Sequence, residues 1–398
     1  MAKIILIGLY DNWTLGLRTL SNALLSKGHS VGIIHFKLPA MHNQPFFLEH
    51  TRQYQTLNTL HAPDKVVVQW YNTDAVMWTH NEVHLLGDLL EKLQPDIIGL
   101  STRCVYEKDI FDLTGQMRRV KGAVTIAGGH DASFRPEHYT DHVDYVCIGE
   151  GEEALNRLAE SVDLNLPCKN IPNLVYKENG NIIKNPMNRP DDSQDYFFRD
   201  DMDLVDHYLI EFQKMQQVDH LFRNITFPLK DTDYFTFAGR GCTGKCTFCS
   251  AGQFQQLYHE YGHFLKTRRM RPIKNIIREV IDAKEKGFKK VYFLDSFLLA
   301  SKSYLLRFFE AYERDCGLPF FAQLQPEQVL DNPDILEAAI RAGMDEIVIG
   351  IQSGSERINK EIFNRKMSHA KVLRFAKMCS AKGNIKLDYH IITHNPFE

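Results

Sequence analysis

The sequence lacks any run approaching the roughly 20 apolar residues that span a bilayer. It also lacks a repeat or a low-complexity tract. The opening MAKIILIGLYDNW is apolar only briefly, too briefly for a secretion-signal core with a cleavage site, so it reads as a first strand and the expected location is the cytoplasm. Charge of one sign is missing too. Lys and Arg total 47 against 50 Asp and Glu, a net charge of −3, which offers no electrostatic footprint for nucleic acid. Cysteine is scarce, with eight in 398 residues, and a chain of this size without a leader is not expected to be held by disulfides. Hydrophobic residues at 44% and charged residues at 24% describe an ordinary globular protein of two or three domains.

Three of the eight cysteines are crowded together. Cys242, Cys246 and Cys249 lie within GCTGKCTFC (241–249), while Cys104, Cys147, Cys168, Cys316 and Cys379 are scattered and read as buried or neutral thiols. Clustered thiolates favour zinc or an iron–sulfur cluster. Structural zinc wants four ligands, commonly in paired C-x2-C units. Here the spacing is C-x3-C-x2-C with no fourth cysteine nearby, and His259 and His263 are the candidate substitutes. A four-iron cluster on three thiolates needs no substitute, because its open iron is where a catalytic ligand binds.

Strand and helix patterns alternate in two regions. Residues 1 to about 160 read as strands at 4–8, 31–36, 66–71, 96–101, 123–129 and 145–152, with helices between them. Such alternation predicts a parallel α/β sheet with ligands at the carboxyl ends of its strands. Residues 163–232 lose the alternation and read as an interdomain segment with short helices. From Tyr234 five strands return (234–240, 290–295, 320–325, 345–354 and 386–393), again separated by helices. The expected domains are therefore 1–165, an interdomain segment 166–232, and 233–398.

The run GRGCTGKCTFCSAGQF (239–254) resembles the signature of the radical S-adenosylmethionine (SAM) enzymes, C-x3-C-x-aromatic-C after the first strand of a barrel, with Phe248 in the aromatic place. The resemblance covers about 233–398. It implies a (β/α) TIM-type barrel and a [4Fe–4S] cluster on Cys242, Cys246 and Cys249. SAM chelates the fourth iron of such a cluster and is cleaved to a 5′-deoxyadenosyl radical. Further implied SAM contacts are Asp295 and Ser296 of LDSF (294–297), Gln323 and Gln325 of FAQLQ (321–325), and Gln352, Ser353 and Arg365 of IGIQSGSERINKEIFNR (349–365). Gln352 stands where many relatives have Glu. The fifth strand runs into HNPFE (394–398), so a partial barrel, truncated after that strand, is expected.

The amino-terminal region resembles the Rossmann-like (flavodoxin-like) cobalamin-binding domain that often precedes such barrels, through GLS (99–101), GGHDAS (128–133) and IGEGEEAL (148–155). The resemblance implies that Ser101, Gly128, Gly129, Gly149 and Gly151 receive the nucleotide tail, and that Glu150 and Glu152 either bond the ligand or cap the next helix. DNWTLG (11–16) stands where cobalamin enzymes carry D-x-H-x-x-G. Asp11 and Gly16 keep the spacing, but Trp13 replaces the histidine, and an indole N–H cannot ligate cobalt. Either the lower cobalt face has no histidine, or Trp13 plugs an empty pocket.

His130 and Asp131 are a candidate metal pair or a loop contact. The basic KTRRMR (266–271) is a candidate contact for RNA or an anion, or a solvated approach to a helix. The function expected from the two resemblances is methylation of an unactivated carbon by a cobalamin-dependent radical SAM enzyme. It would act on a small molecule and draw electrons from a flavodoxin or ferredoxin. Cyclisation, rearrangement, P-methylation and a non-catalytic cobalamin module are the alternatives. A tRNA methylthiotransferase would need a second cluster, for which Cys104, Cys147 and Cys168 are unevenly placed.

Overall fold

The computed structural model describes residues 1–11, 13–37, 57–61, 67–71, 78–102, 107–195, 204–211, 213–219, 233–266, 268–365, 367–383, 385–392 and 397. Cys104, Asn12, Thr267 and most of HNPFE lie outside the described residues. The chain divides into two compact units, Met1–Asn188 with Asp200–Lys230, and Arg189–Arg199 with Asp231–Glu398.

In the first unit the strands are β1 Lys3–Leu9, β2 Ser30–Phe36, β3 Leu57–His61, β4 Val67–Tyr71, β5 Ile97–Thr102, β6 Val124–Gly129, β7 Tyr145–Cys147, β8 Leu174–Glu178, β9 Asn181–Lys184, β10 Asp206–Glu211 and β11 Lys214–Val218. Helices α1 Leu15–Leu25, α2 His80–Leu93, α3 Glu107–Met117, α4 His130–Phe134 and α5 Glu152–Asp163 fall between them. Among the described residues nine strands form one sheet in the order β11-β10-β2-β1-β5-β6-β7-β8-β9. The run from β10 to β7 is parallel, and β11, β8 and β9 add antiparallel edges. The strand order reverses at β1, which leaves a crevice between the carboxyl ends of β1 and β5.

Strand β1 is buried along nearly its whole length, because it lies mid-sheet with helices on its faces. On one face Ile4, Leu6, Val31, Ile33 and Ile97 pack with Leu17, Leu24, Leu155 and Leu158 from α1 and α5. Each such side chain contributes about 1.5–3 kcal/mol.

The segment 166–232, expected as an interdomain piece with short helices, supplies four strands to this sheet. Asn179 (φ 50°) and Gly180 (φ 80°) form the two-residue turn joining β8 to β9, a tight hairpin turn that needs positive φ at both positions. The irregular region 37–80 contains β3 as well as the expected β4, paired antiparallel.

The second unit contains β12 Asp233–Thr236, β13 Gly239–Arg240, α6 Ser250–Glu260, β14 Arg269–Met270, α7 Ile273–Glu285, β15 Lys290–Phe293, α8 Lys302–Asp315, β16 Phe320–Leu324, α9 Pro326–Asp331, α10 Pro333–Arg341, β17 Met344–Gln352, α11 His369–Ser380 and β18 Lys386–Ile391. Its five-stranded sheet is all parallel and runs β12-β15-β16-β17-β18 without reversal. Side chains alternate across each strand. At the amino ends of the strands Glu346 meets Lys290 (2.6 Å) and Lys386 (2.7 Å). Above them Phe235, Tyr292 and Phe321 stack at 4.8 and 5.0 Å. Burial works against the Glu346 carboxyl, and hydrogen bonds from Lys290 and Lys386 overcome it, drawing the pKa down to about 2.

Candidate functional site

The cysteine loop follows β13 in the second unit. Cys242 and Cys246 face each other across Gly244, where an added Cβ would sit 3.4 and 3.7 Å from their sulfurs. The Gly244 amide donates to Cys242 Sγ at 3.3 Å. Arg365 Nη1 stands 4.0 Å from Cys246 Sγ. Among the described residues no three His, Cys, Asp or Glu side chains are grouped to hold one metal ion. His259 lies in the last turn of α6, edge-on to Phe264 at 4.6 Å, and the His263 amide donates to Tyr258 O at 2.9 Å. A cubane asks for something different, since each thiolate serves a separate iron. Three thiols with an N–H donor and a guanidinium beside them suit an anionic cluster.

The loop is braced by the segment after β17. Thr247 donates its hydroxyl to Ile362 O (2.7 Å) and its amide to Phe363 O (3.2 Å). Asn364 donates to Lys245 O (3.0 Å), and Phe248 packs edge-on against Phe363 at 5.1 Å. Residues 358–362 form a π-turn, a widening that often marks functional sites. Thr247, Phe363 and Asn364 carry no motif of their own, and sequence reasoning missed them.

Of the expected SAM contacts, Gln352 and Arg365 come together here. Gln352 is in the left-handed region (φ 71°), and its amide folds back over Gly350. A Cβ on Gly350 would overlap that amide and lie 3.6 Å from Arg365 Nη2. Phe248 stays partly exposed. Gln323 donates to Leu294 O at 3.2 Å. Gln325 stands at the start of α9 without a side-chain capping bond, and Ser296 is half-buried after β15.

Two expected contacts also have partners within the fold. Ser353 is fully buried and its hydroxyl accepts from the Ser355 amide at 2.9 Å. Asp295 accepts from the Ala238 amide (2.8 Å) and from Arg268 Nη2 (2.6 Å), and Arg268 Nη1 donates to Gly241 O (2.5 Å). Burial outweighs the Arg268 partner and pushes the Asp295 carboxyl above its usual range. This pair braces the backbone on both sides of β13, immediately before Cys242.

The basic run is neither solvated nor an exposed RNA surface at its arginines. Arg269 and Arg271 are buried. Arg271 bonds Glu279, Thr236 Oγ1 (3.2 Å) and Phe237 O (2.8 Å). Glu279 also accepts from Tyr234 and Thr236 at 2.8 and 2.6 Å.

At the carboxyl edge of the first sheet, Asp11 takes the amides of Trp13 and Thr14, both at 2.9 Å, and so shapes the DNWT turn. His35 Nδ1 lies 3.2 Å from Asp11 O, and its Nε2 lies 3.0 Å from His207 Nδ1. A carbonyl only accepts, so His35 Nδ1 carries the proton and Nε2 accepts from His207. Burial lowers the His35 pKa to about 4, against weaker support from Asp11.

Ser101 and Thr102 pair in register with Gly128 and Gly129. Gly129 (φ 111°) and Gly149 (φ 75°) are required by the backbone itself. Gly151 is close-packed on Cys147 and Leu20. Gly128 and Gly16 are different. A Cβ on Gly128 meets only ordinary contact, and one on Gly16 meets nothing within 4 Å. Their bare backbone has no cause in local packing, which fits close approach by a ligand. Ser133 bridges Gly129 O (2.7 Å) and the Gly149 amide (3.0 Å), and Asn173 holds Ile148 O (2.9 Å) and Glu150 O (3.3 Å). Glu152 begins α5. Asp131 is bound by Arg135 at 2.7 Å and by Tyr139, the loop contact rather than a metal pair.

Among the described residues no helix is long and apolar enough to cross a membrane. An uncharacterised methyltransferase of Pyrococcus horikoshii is 24% identical over 278 residues, covering 69% of this chain and 55% of that protein. The solved structure of the radical SAM methyltransferase TsrM from Kitasatospora setae, with cobalamin and a [4Fe–4S] cluster bound, matches with a TM-score of 0.64. It shows 15% identity and covers 98% of this chain and 69% of that one. The cobalamin-dependent SAM radical enzyme OxsB, with aqua-cobalamin and SAM bound, matches with a TM-score of 0.64 at 17% identity, covering 98% and 49%. The chain spans little more than half the length of the curated relatives it matches. Residues 237–396 match the radical SAM superfamily, whose cofactors are a [4Fe–4S] cluster and SAM. The three-cysteine loop and its braces thus belong to a radical SAM domain.

Proposed function

We propose that this chain is the cobalamin-binding and radical SAM portion of an enzyme that methylates an unactivated carbon of a small molecule. When bound, the cluster and SAM supply a hydrogen-abstracting 5′-deoxyadenosyl radical and cobalamin supplies a methyl group. The protein's share is to hold, orient and shield these groups. Cys242, Cys246 and Cys249 hold three irons. Arg365 offers a planar pair of donors for the SAM carboxylate, and Gln352 offers an amide beside it. Arg268 and Asp295 keep the loop entrance in place. The single observation that carries this reading is the bracing of the cysteine loop against 362–365, which brings Arg365 to 4.0 Å from Cys246 Sγ.

The five parallel strands of the second unit serve as a partial barrel. The crevice of the first unit, in residues 1–165, would take cobalamin with Ser101, Gly128 and Gly16 at its edge, and DNWTLG would offer it no histidine. A flavodoxin or ferredoxin supplies electrons in the cytoplasm.

Anaerobic reconstitution tests the proposal. The expected outcome is a four-iron cluster, corrinoid absorbance that survives desalting, and 5′-deoxyadenosine on reduction with SAM. No 5′-deoxyadenosine from the full-length, cluster-loaded protein would sink the enzymatic reading and leave a binding module. Absence of retained corrinoid would sink the cobalamin assignment alone. Products cyclised or methylated at phosphorus would keep the cofactors and change the reaction.

A further inference from the structure

The first unit holds two histidine pairs of nearly equal spacing and opposite surroundings. His35 and His207 are buried, and both ring nitrogens of His35 are already engaged, one by the Asp11 carbonyl and one by His207. His80 and His84 lie on the exposed face of α2, with their Nε2 atoms 2.9 Å apart and their rings edge-to-face at 4.4 Å between centroids.

The i, i+4 spacing places both rings on one side of the helix. Two neutral imidazoles can meet this way only with one Nε2–H donating to the lone pair of the other, and moving the donor's proton to its own Nδ1 through water would leave both Nε2 lone pairs free to bind one ion. A metal ion bound by two imidazoles at about 2.0–2.1 Å in neighbouring 90° positions would set the nitrogens roughly 2.9 Å apart. Tetrahedral zinc would set them at roughly 3.4 Å. The observed 2.9 Å is the length of the hydrogen bond itself and lies close to either span, so a small rotation of the exposed rings would admit a late first-row divalent ion.

The clamp is also pre-organised. Thr79 and Glu82 cap the first turn of α2 reciprocally. Glu82 is anchored in turn by buried Lys37 at 2.7 Å, and Lys37 bridges to Glu211 at 2.5 Å. The helix end carrying His80 is thereby held against fraying, which lowers the ordering cost of binding. One turn further on, Asp88 is taken by Arg119 at 2.7 Å, so water fills the remaining metal positions.

We propose that His80 and His84 form an external two-imidazole site for a divalent late transition metal, independent of the cysteine loop and of the cofactors assigned above. Full-length, cluster-loaded chain without an affinity tag is titrated with Ni2+ by equilibrium dialysis. The expected result is a single Ni2+ per chain beyond the cluster iron, weakened about tenfold or more in His80→Asn and in His84→Asn. Far-UV circular dichroism should be unchanged in both. Mapping histidine carbethoxylation by mass spectrometry in the parent chain removes any dependence on the variants, since Ni2+ should protect His80 and His84 together. Equal Ni2+ binding by parent and His84→Asn would overturn the proposal. So would Ni2+ that protects neither ring, or a site that disappears in Cys242→Ala/Cys246→Ala/Cys249→Ala while His80 and His84 are intact.

Discussion

The two strand-end sites are built by opposite means. In the first unit the loops after β6 and β7 are shaped by glycine and by neutral hydrogen bonds from Ser133 and Asn173. In the second unit the entrance to the cysteine loop is shaped by arginine. Arg268 is tied to Asp295, and Arg271 is tied to Glu279 in the core below. Glycine lets backbone approach a ligand closely but anchors nothing. A buried ion pair is poor as net stabilisation, yet strongly destabilising when half of it is removed. The difference teaches that the first site is defined by what is left out, and the second by what is locked beneath it.

The largest effect is expected from Cys246→Ala. Iron and sulfide content should collapse and SAM cleavage should fall to background, while far-UV circular dichroism and corrinoid retention stay as in the parent. Next come the buried ions, each reporting on its own unit. Arg271→Met leaves Glu279 without its cation and is expected to cost about 3–5 kcal/mol. Urea denaturation should show the loss in the transition that releases iron. Lys37→Met strands Glu82 and Glu211 at a similar cost of about 3–5 kcal/mol, and should weaken corrinoid retention while cluster loading survives. If both variants shift both signals equally, the contrast between the units fails.

Asp295→Asn sharpens the comparison at the loop entrance. An amide still accepts from Ala238 but loses the charge opposite Arg268, a change of about 1.5–3 kcal/mol. As a strut, Asp295 should govern cluster retention and leave the SAM dissociation constant of the loaded fraction nearly unchanged. The opposite split would make it a SAM ligand.

Acid should separate the units as well. His35 is held neutral down to about pH 4 by burial, whereas an unfolded histidine takes its proton near pH 6.5. Its contribution is therefore complete above 6.5 and is lost as pH falls toward 4. Glu346 is depressed to about 2, so its contribution holds above an unfolded carboxyl's pKa of roughly 4.3 and fades below it. Corrinoid retention should weaken from pH 6.5 downward, before the support from Glu346 begins to fade. The smallest change is Trp13→His, expected to leave stability within about 0.5 kcal/mol and to add a nitrogen ligand to the Co(II) electron paramagnetic resonance spectrum.

Much of this was legible in the residues. The three-cysteine spacing, the five strands of the second sheet and the glycines at 128–129 and 149–151 are local signals, and the structure places each at a strand end. What escaped notice depends on partners far away in sequence. The bond from Arg268 to Asp295, 27 residues apart, has no local signal, and KTRRMR reads as surface until Glu279 and Thr236 are seen to enclose Arg271. The hairpin at Asn179–Gly180 was within reach, because Asn-Gly between two short β-prone runs is a turn signal. The π-turn that braces the loop left no such mark.

That brace has a consequence for how the domain is made. Thr247 finds its acceptor 115 residues later, at Ile362. On the ribosome, where domains assemble as the chain emerges, the cysteines appear long before the residues that grip their loop. Four parallel strands must be in place before the contact can form, and such distant pairing is slow. A cluster delivered too early would meet three thiols on an unsupported loop. The timing of iron delivery, and not thiol affinity alone, would then decide how much of the newly made protein is filled.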